Sequence, residues 1–292
     1  MTKDSSATPL TTNGSQRLQT TSPQILGPFY PLGMPPGSFL AHYATRFDTV
    51  EVDSTYYAVP SARVVDGWAA KTPEDFLLCA KFPRDIVHCG KGARPDARLV
   101  LARDAVYDTR DRFLEVMGRV GSRLGPLLIQ FPYFNRAGFP SAGPFLERLN
   151  DFLGDLPHDT LRYAVEIRNK AWLTKAYRDL LAKHDVGLVL VDQGWMPHGD
   201  EVEKKIDPVT SEDVYIRLLG DRKAIELITK TWEREVIDHG PGLARWSSLL
   251  VRMMDRDVKR VLVFVNNHFA GHGPATVRRL KAMFEAQLAR ES

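Results

Sequence analysis

The sequence predicts an α/β fold, a TIM-type (β/α) barrel, and two observations support that prediction. Short apolar segments recur along the chain and turn polar or charged at their C-terminal ends, and helical segments separate most of them. Seven of them are predicted to be strands: VEVDSTYY, FLLCAKFP, LLIQFP, YAVEIR, GLVLVDQ, VYIRLLG and VLVFVNNH. Parallel strands of this kind bury their flanks under helices and present their C-terminal ends to a shared cavity. The sequence therefore indicates where a functional site lies.

Amphipathic helices are predicted between these strands. After the first strand, Val64, Val65 and Trp68 recur at helical spacing behind Pro60 and Ser61, which is typical of a capped helix. The same periodicity predicts further helices around 106–120, 145–152, 172–181, 246–253 and 274–284. Their aromatic and methionine stripes are interpreted as packing surfaces that cover the sheet.

The chain is expected to hold a single domain. Its 292 residues, of which 43% are hydrophobic and 26% charged, suit one large α/β barrel, assigned to residues 17–292. Residues 1–16 are rich in Ser and Thr without a periodic apolar face, so they are expected to form a disordered tail.

The first strand of the barrel is expected between Arg17 and Gly27. That segment is polar and interrupted by a proline, so the barrel is predicted to be irregular there.

Charge and cysteine content narrow the class of protein. The net charge of +3 comes from 39 cations and 36 anions, whereas a dedicated nucleic-acid binder usually shows a larger and clustered excess of cations. Cys79 and Cys89 lack metal-binding spacing, which favours a reduced, cytoplasmic protein. No segment approaches the ~18 apolar residues of a membrane span, so no membrane association is expected.

Side chains alternate between the two faces of a strand, and this alternation predicts which of them point into the barrel. In the first predicted strand, Val50 and Val52 are expected to meet the helices, which directs Glu51 and Asp53 inward. In GLVLVDQ the same argument directs Leu190 and Asp192 inward. Applied to all seven strands, it predicts one polar cluster: Glu51, Asp53, Lys81, Gln130, Glu166, Arg168, Asp192, Arg217, Asn266 and His268.

Two interpretations of this cluster remain open. Burying an unpaired ion costs several kcal/mol, so these groups must be paired with one another, hydrated or in contact with a ligand. In the first interpretation they form a satisfied lattice of salt bridges with a structural role alone. In the second they line a binding or catalytic pocket, which is favoured because barrels place their active sites at this end of the strands.

Longer motifs occur in order along the chain: FYP, VEVDSTYYAVPS, WAAKTPEDFLLCAKFPRDIVH, GPLLIQFP, YAVEIRNKAW, VYIRLLG and VFVNNHFAGHGP. Together they strongly resemble the YecE-like family, the domain of unknown function numbered 72, from about Gly27 to the last helix. The resemblance implies a TIM-type barrel, in agreement with the strand pattern. The activity of that family is not established, so the resemblance leaves the function open.

The chain departs from the pattern of that family at two places. The family usually carries a Gly/Ser- and Trp-rich strand and loop before FYP, where this chain has TSPQILG. The typical Arg-Leu-His-Gly of the seventh strand corresponds here to Arg217-Leu218-Leu219-Gly220, so Leu219 replaces a histidine. A mechanism that requires that imidazole would not operate in this protein.

The favoured hypothesis is a hydrolase- or isomerase-like enzyme that acts on a small anionic substrate, such as a phosphate ester or phosphosugar. Arginine can bind phosphate through two nitrogen atoms, and glycines before a helix allow phosphate to approach backbone N–H groups. The predicted substrate-binding residues are Glu51, Lys81, Gln130, Arg168, Arg217, Asn266, Gly271 and Gly273. The predicted catalytic acids and bases are Glu166, Asp192, His268 and Asp53.

A second hypothesis is a hydrolase or isomerase that depends on a divalent metal; no other cofactor is predicted. Carboxylate oxygens and one imidazole would bind Mg²⁺, Mn²⁺ or Zn²⁺. The cations Arg168 and Arg217 oppose this hypothesis because they would repel the metal. The ligands would be Asp53, Glu166, Asp192 and His268.

A third hypothesis is a non-catalytic protein that binds a nucleotide or nucleic acid. The segment 81–98 is basic and includes Lys91, Arg94 and Arg98. Few aromatic residues are interleaved with these cations, which gives little support to stacking on a single strand. The partner expected first is therefore a small anionic molecule.

Overall fold

The computed structural model describes residues 10–15 and 27–291 of the chain and shows an α/β fold. Its strands are short, as the apolar segments predict, because each segment reaches polar residues after four to seven positions. The strands are β1 (Leu10–Ser15), β2 (Thr49–Val52), β3 (Leu77–Ala80), β4 (Leu127–Gln130), β5 (Tyr163–Glu166), β6 (Gly187–Asp192), β7 (Asp213–Leu218) and β8 (Arg260–Asn266). The seven segments predicted to be strands correspond to β2–β8.

Helices occupy most of the chain between the strands. They are α1 (Phe39–Ala44), α2 (Ala62–Ala69), α3 (Arg84–Val87), α4 (Arg103–Gly118), α5 (Ala142–Gly154), α6 (Lys175–Lys183), α7 (Gly199–Glu203), α8 (Arg222–Ile228), α9 (Gly240–Met254), α10 (Asn267–Ala270) and α11 (Gly273–Glu291). The six helices predicted from apolar periodicity correspond to α2, α4, α5, α6, α9 and α11. None of the helices in the described residues is long and apolar enough to cross a membrane.

The strands form a curled parallel sheet. Six strands pair in the order β1-β8-β7-β6-β5-β4, and β2 pairs with β3. Two isolated parallel bridges, Leu78 with Leu124 and Lys81 with Leu128, connect β3 to the segment around β4. All pairings are parallel, so the C-terminal ends of the strands lie at the same edge of the sheet.

The first strand lies earlier in the chain than the sequence indicates. β1 pairs in parallel with β8, from Leu10 opposite Val261 to Ser15 opposite Asn266. This strand falls within residues 1–16, where we expected a disordered tail. The segment between Arg17 and Gly27, where we expected the first strand, lies outside the described residues except for its last residue.

The strands separate two buried hydrophobic layers. On the outer face, Val52 and Val165 belong to one large buried cluster together with helical residues such as Val65 and Trp246. A smaller buried cluster lies on the inner face and consists of Cys79, Leu128, Ala164, Val189, Val191, Tyr215, Leu262 and Phe264. The inner cluster fills the space between the strands, so that polar groups can accumulate only beyond it, at the strand ends.

Candidate functional site

Polar residues stand two positions beyond members of the inner cluster and therefore on the same face of the strands. In this way Cys79 precedes Lys81, and Tyr215 precedes Arg217. The residues line a cavity of about 270 Å³ that also includes parts of the loops after the strands. The lining consists of Asp53, Tyr56, Tyr57, Lys81, Gln130, Gln193, Arg217, Leu219, Gly220, Arg222, Asn266 and His268.

Arg217 is the centre of a buried ion network at the base of this cavity. Its Nη2 donates to Glu51 Oε1 at 2.7 Å, and its Nη1 donates to Glu166 Oε2 at 2.6 Å and to Gln130 Oε1 at 2.9 Å. The side chain of Arg217 is only 4% exposed and those of both glutamates are fully buried. A guanidinium with several donors in one plane suits this role, because it can satisfy two carboxylates at once.

Lys81 extends the network toward the mouth of the cavity. Its Nζ lies 3.2 Å from Glu51 Oε1 and also contacts Asp53 Oδ1. The backbone N–H of Lys81 donates to Thr55 Oγ1 at 3.0 Å, which ties the end of β3 to the loop after β2. Glu51 additionally accepts a hydrogen bond of 2.7 Å from the Tyr215 hydroxyl. These contacts hold the lysine ammonium and the Asp53 carboxylate together in the cavity wall.

The network keeps its carboxylates ionised. Burial alone would raise the pKa of Glu51, but Arg217 and Lys81 outweigh burial and lower that pKa to about 2. Burial likewise opposes ionisation of Glu166, and the cations Arg168 and Arg217 more than compensate, so its pKa is also lowered. A carboxyl group with a lowered pKa has no proton to donate near neutral pH, and its carboxylate is a weaker base than an ordinary one. Glu51 and Glu166 therefore position cations and are poorly suited to proton transfer.

Glu166 and Arg168 form a pair beneath the cavity. The guanidinium of Arg168 contacts Glu166 Oε1, and its side chain is 11% exposed. Neither residue belongs to the cavity wall, although both were predicted to contact the substrate or its reacting atoms. Through Glu166 this pair is joined to Arg217, so Glu166 and Arg168 support a residue of the cavity wall without lining the cavity themselves.

His268 and Asn266 come from the end of β8 and line the cavity together. The side chain of Asn266 accepts from the backbone N–H of His268 at 2.9 Å, as the N-cap of α10, and lies 2.6 Å from His268 Nδ1. Because an amide oxygen only accepts, this contact places a proton on Nδ1. The Nε2 atom of His268 lies 3.6 Å from Glu226 Oε1, and the ring packs edge-on against Trp232. Asn266 therefore determines the orientation of the imidazole.

Asp192 does not join this cluster, and the alternation argument is wrong for β6. Val189 and Val191 belong to the inner cluster, whereas Leu190 belongs to the outer one. Asp192 accordingly accepts a hydrogen bond of 2.8 Å at Oδ2 from the indole Nε1 of Trp246 on α9. The physical reason is that GLVLVD is apolar on both faces, so only its last residue could suggest a direction, and a helix can satisfy an aspartate as well as a cavity can.

Gly271 and Gly273 do not form part of the cavity wall either. Gly271 ends α10 with a φ of +113°, and a Cβ there would lie 2.5 Å from the carbonyl oxygen of Arg234. The N–H of Gly273 donates to Asn267 Oδ1 at 2.8 Å, and a Cβ there would lie 2.9 Å from the carbonyl oxygen of Val265. Both glycines are needed for close chain packing. The N–H groups of both glycines donate to Asn267, so the geometry gives no support to a phosphate-binding turn here, and that turn stays a prediction.

The geometry gives little support to the metal hypothesis. Two of its four proposed ligands are occupied elsewhere, Asp192 by Trp246 and Glu166 by two arginines. Within the described part of the chain, no group of three or more His, Cys, Asp or Glu side chains is placed to hold a metal ion.

The basic segment 81–98 is partly used for its own folding. Arg84 donates to the carbonyl oxygens of Gly90 at 2.8 Å and Gly92 at 2.5 Å, and Arg98 pairs with Asp96 at 2.7 Å. Lys91 and Arg94 are exposed. The cations of this segment therefore do not act as one continuous surface.

Several cavity residues were not predicted from the sequence. Tyr56, Tyr57 and Arg222 lie in loops or helices beyond the strand ends, where the alternation argument stops. Gln193 could have been found, because it stands two positions after Val191 on the inner face of β6. Leu219, at the position where the resemblance expects a histidine, lines the cavity with an apolar group.

Comparisons with known proteins assign this architecture to a family. The family model described as "Protein of unknown function DUF72" matches residues 20–291. The chain belongs to the DUF72 family. Among curated relatives, the UPF0759 protein YecE of Escherichia coli (strain K12) is 34% identical over 137 residues, which cover 47% of this chain and 43% of that protein. The UPF0759 protein YunF of Bacillus subtilis (strain 168) is 25% identical over 138 residues, which cover 47% of this chain and 45% of that protein.

These matches span less than half the length of the curated relatives. Solved DUF72 structures extend the likeness to nearly the whole chain. A DUF72 family protein from Thermotoga maritima aligns with a TM-score of 0.63 and 24% identity, covering 94% of this chain and 99% of that one. A DUF72 family protein from Enterococcus faecalis aligns with a TM-score of 0.64 and 19% identity, covering 95% and 96%. At this level of identity the likeness supports the DUF72 fold alone.

Proposed function

We propose that the cavity at the strand ends binds a small phosphate-bearing molecule and that the protein is an enzyme that transfers protons on it. One observation carries the proposal: two atoms of cavity residues, Arg217 Nε and Gln193 Oε1, are buried with neither a hydrogen-bond partner nor an ion-pair contact within the described part of the chain, whereas a third buried atom, Asp53 Oδ1, contacts the Lys81 ammonium. A buried donor or acceptor without a partner costs about 1–3 kcal/mol. A bound polar molecule in the cavity would offset that cost.

The charge of the cavity wall favours an anion as that molecule. Lys81, Arg217 and Arg222 line it with one carboxylate, Asp53, while Glu51 and Glu166, which pair with Lys81 and Arg217, lie outside the wall. Arg222 lies at the rim with a side chain that is 65% exposed and pairs with the neighbouring Glu226, at 2.7 Å. A surface pair of this kind is weak, so its guanidinium can turn to an incoming phosphate at little cost. Gln130, Gln193 and Asn266 add amide groups that can bind the hydroxyls of a sugar or ester.

Asp53 and His268 are the proton carriers in this proposal. Both line the cavity, and their partners keep each in one orientation: Lys81 for the carboxylate, and Asn266 for the imidazole. With a proton held on Nδ1, Nε2 is the atom of His268 that exchanges a proton with substrate. Glu51, Glu166 and Arg168 act through Arg217 and Lys81 as positioning residues.

We further infer that the curled sheet closes into a (β/α) barrel with eight strands. β1 pairs with β8, and Cα atoms of β1 also approach those of β2. With the bridges between β3 and β4, every strand then has a neighbour on both sides. Closure leaves no exposed sheet edge and makes the cavity a single central site.

Turnover tests the proposed function. The protein is incubated with sugar phosphates and nucleoside monophosphates, and phosphorus NMR follows the products, for the parent and for Asp53→Asn and His268→Gln. We expect turnover by the parent and a loss of about 10²–10⁴-fold in each variant, the usual contribution of a general acid or base. Equal rates in the parent and both variants, or no turnover of any member of the panel, would overturn the proposal.

A further inference from the structure

We propose that a second cavity beside the first binds the base of a nucleoside phosphate, so that the substrate is a nucleotide; this rests on the proposed binding of phosphate in the central cavity. The second cavity has a volume of about 510 Å³ and lies between the loop that precedes α2, the start of α3, and α4. It is lined by Tyr57, Ala58, Val59, Pro60, Ser61, Pro83, Asp85, Thr109, Arg112 and Val116.

The two cavities are neighbours because they share a wall. Tyr57 lines both of them, and its side chain is 54% exposed. The segment after β3 also serves both, with Lys81 in the first cavity and Pro83 in the second. Two residues of extended chain span roughly 7 Å. That separation matches a ligand that places its phosphate beside Lys81 and a ring beside Pro83.

The chemistry of the second cavity suits a flat ring with polar edges. Val59, Pro60, Pro83 and Val116 provide apolar surfaces, and the ring of Tyr57 provides a face on which an aromatic base can stack. A sugar ring, with hydroxyl groups around it, would leave many of those hydroxyls against carbon atoms. The apolar walls therefore favour a base over a second sugar.

Polar groups at the edges of this cavity can pair with a base. Asp85 and Arg112 are exposed, line the cavity and form no ion pair within the part of the chain that the structure describes. The Asp85 carboxylate accepts hydrogen bonds and would bind an amino group, whereas the Arg112 guanidinium donates and would bind a ring nitrogen or carbonyl oxygen. Bases with an exocyclic amine therefore fit better than uracil, which has none.

Isothermal titration of paired ligands tests the proposal. Ribose 5-phosphate, which lacks a base, is compared with AMP, GMP, CMP and UMP, for the parent and for Tyr57→Ala, Arg112→Met and Asp85→Asn. Tyr133→Ala is the matched control, because Tyr133 is another exposed tyrosine in a loop after a strand and lines neither cavity. Circular dichroism and thermal melts establish that each variant is folded.

We expect at least one amine-bearing nucleotide to bind the parent tenfold or more tightly than ribose 5-phosphate. Arg112→Met and Asp85→Asn should reduce that advantage at least threefold while leaving the affinity for ribose 5-phosphate unchanged, and Tyr57→Ala should remove it. Tyr133→Ala should behave like the parent. If ribose 5-phosphate binds but no nucleotide binds more tightly, or if the second-cavity variants have no effect, the base subsite is refuted while the phosphate site stands. If no phosphorylated ligand binds, the proposed function fails with it.

Discussion

Arg217 and Glu51 face each other across the interior of the sheet, joined by a hydrogen bond of 2.7 Å from Nη2 to Oε1. They are 166 residues apart in sequence, and both side chains are nearly or fully buried. The same guanidinium binds Glu166, so that one cation links β2, β5 and β7. This arrangement stabilises the fold and also shapes the floor of the cavity.

Replacing Arg217 is expected to destabilise the protein strongly. Arg217→Met would leave Glu51 and Glu166 buried with fewer cations, and breaking a buried pair of this kind typically costs about 3–5 kcal/mol. Arg222→Met is the matched control, because Arg222 forms an exposed pair and its loss should change stability by no more than about 1 kcal/mol. Urea unfolding curves measure both. Equal stability of the two variants would show that the network does not support the fold.

Acid should weaken the network through Glu51. Its pKa in the folded protein is lowered to about 2 from an ordinary value of 4.5, so its contribution to stability is complete above pH ~5 and is lost as pH falls toward 2. The free energy of unfolding should therefore decrease steeply across this range in the parent. In Glu51→Gln it should start lower and decrease less. Urea titrations at several pH values measure the two slopes, and identical slopes would contradict the assignment.

Asp192 is expected to be structural. Asp192→Asn keeps an oxygen that can accept from Trp246 and should cost about 1 kcal/mol in stability, since one charge-assisted hydrogen bond becomes neutral. Phosphate affinity should stay unchanged, whereas Asp53→Asn, which removes a negative charge from the cavity wall, should bind phosphate more tightly. Parallel thermal melts and titrations of the two variants make the comparison. A loss of phosphate affinity in Asp192→Asn would show that Asp192 contributes to the phosphate site.

The contrast between Asp192 and Glu166 shows how far the sequence predicts the site. On β5, β7 and β8 one face is polar near the strand end, so alternation correctly directs Glu166, Arg217 and Asn266 inward. On β6 both faces are apolar, so the sequence pattern does not indicate which face points inward. Arg222, Tyr56 and Tyr57 depend on how loops fold over the sheet, which strand periodicity does not describe.

The backbone at Gly271 offers a test of the turn that follows α10. Gly271→Ala would place a Cβ 2.5 Å from the carbonyl oxygen of Arg234 at a φ of +113°, so we expect a loss of more than about 1 kcal/mol in stability. Gly242→Ala in α9 is the control, because nothing lies within 4 Å of its Cβ and alanine favours helices. Thermal melts compare the two. A melting temperature for Gly271→Ala equal to that of the parent would contradict close packing of Gly271 against Arg234.

Removal of residues 1–16 tests the place of β1 in the sheet. Deletion would expose the edge of β8, with which β1 pairs over six residues, and should lower the melting temperature by several degrees. Deletion of residues 1–9 alone should have a smaller effect, because it leaves β1 intact. An unchanged melting temperature after the longer deletion would instead support a disordered tail.

The binding of phosphate itself tests the central claim most directly. Isothermal titration of inorganic phosphate should give one site per chain in the parent. In Arg222→Met the affinity should be at least tenfold weaker, because a hydrogen bond to a charged group contributes about 1.5–3 kcal/mol. Thermal melts of that variant without phosphate should match the parent. Binding that is absent from the parent at millimolar phosphate, or equally tight in Arg222→Met, would contradict an anion site and leave the cluster as a salt-bridge lattice alone.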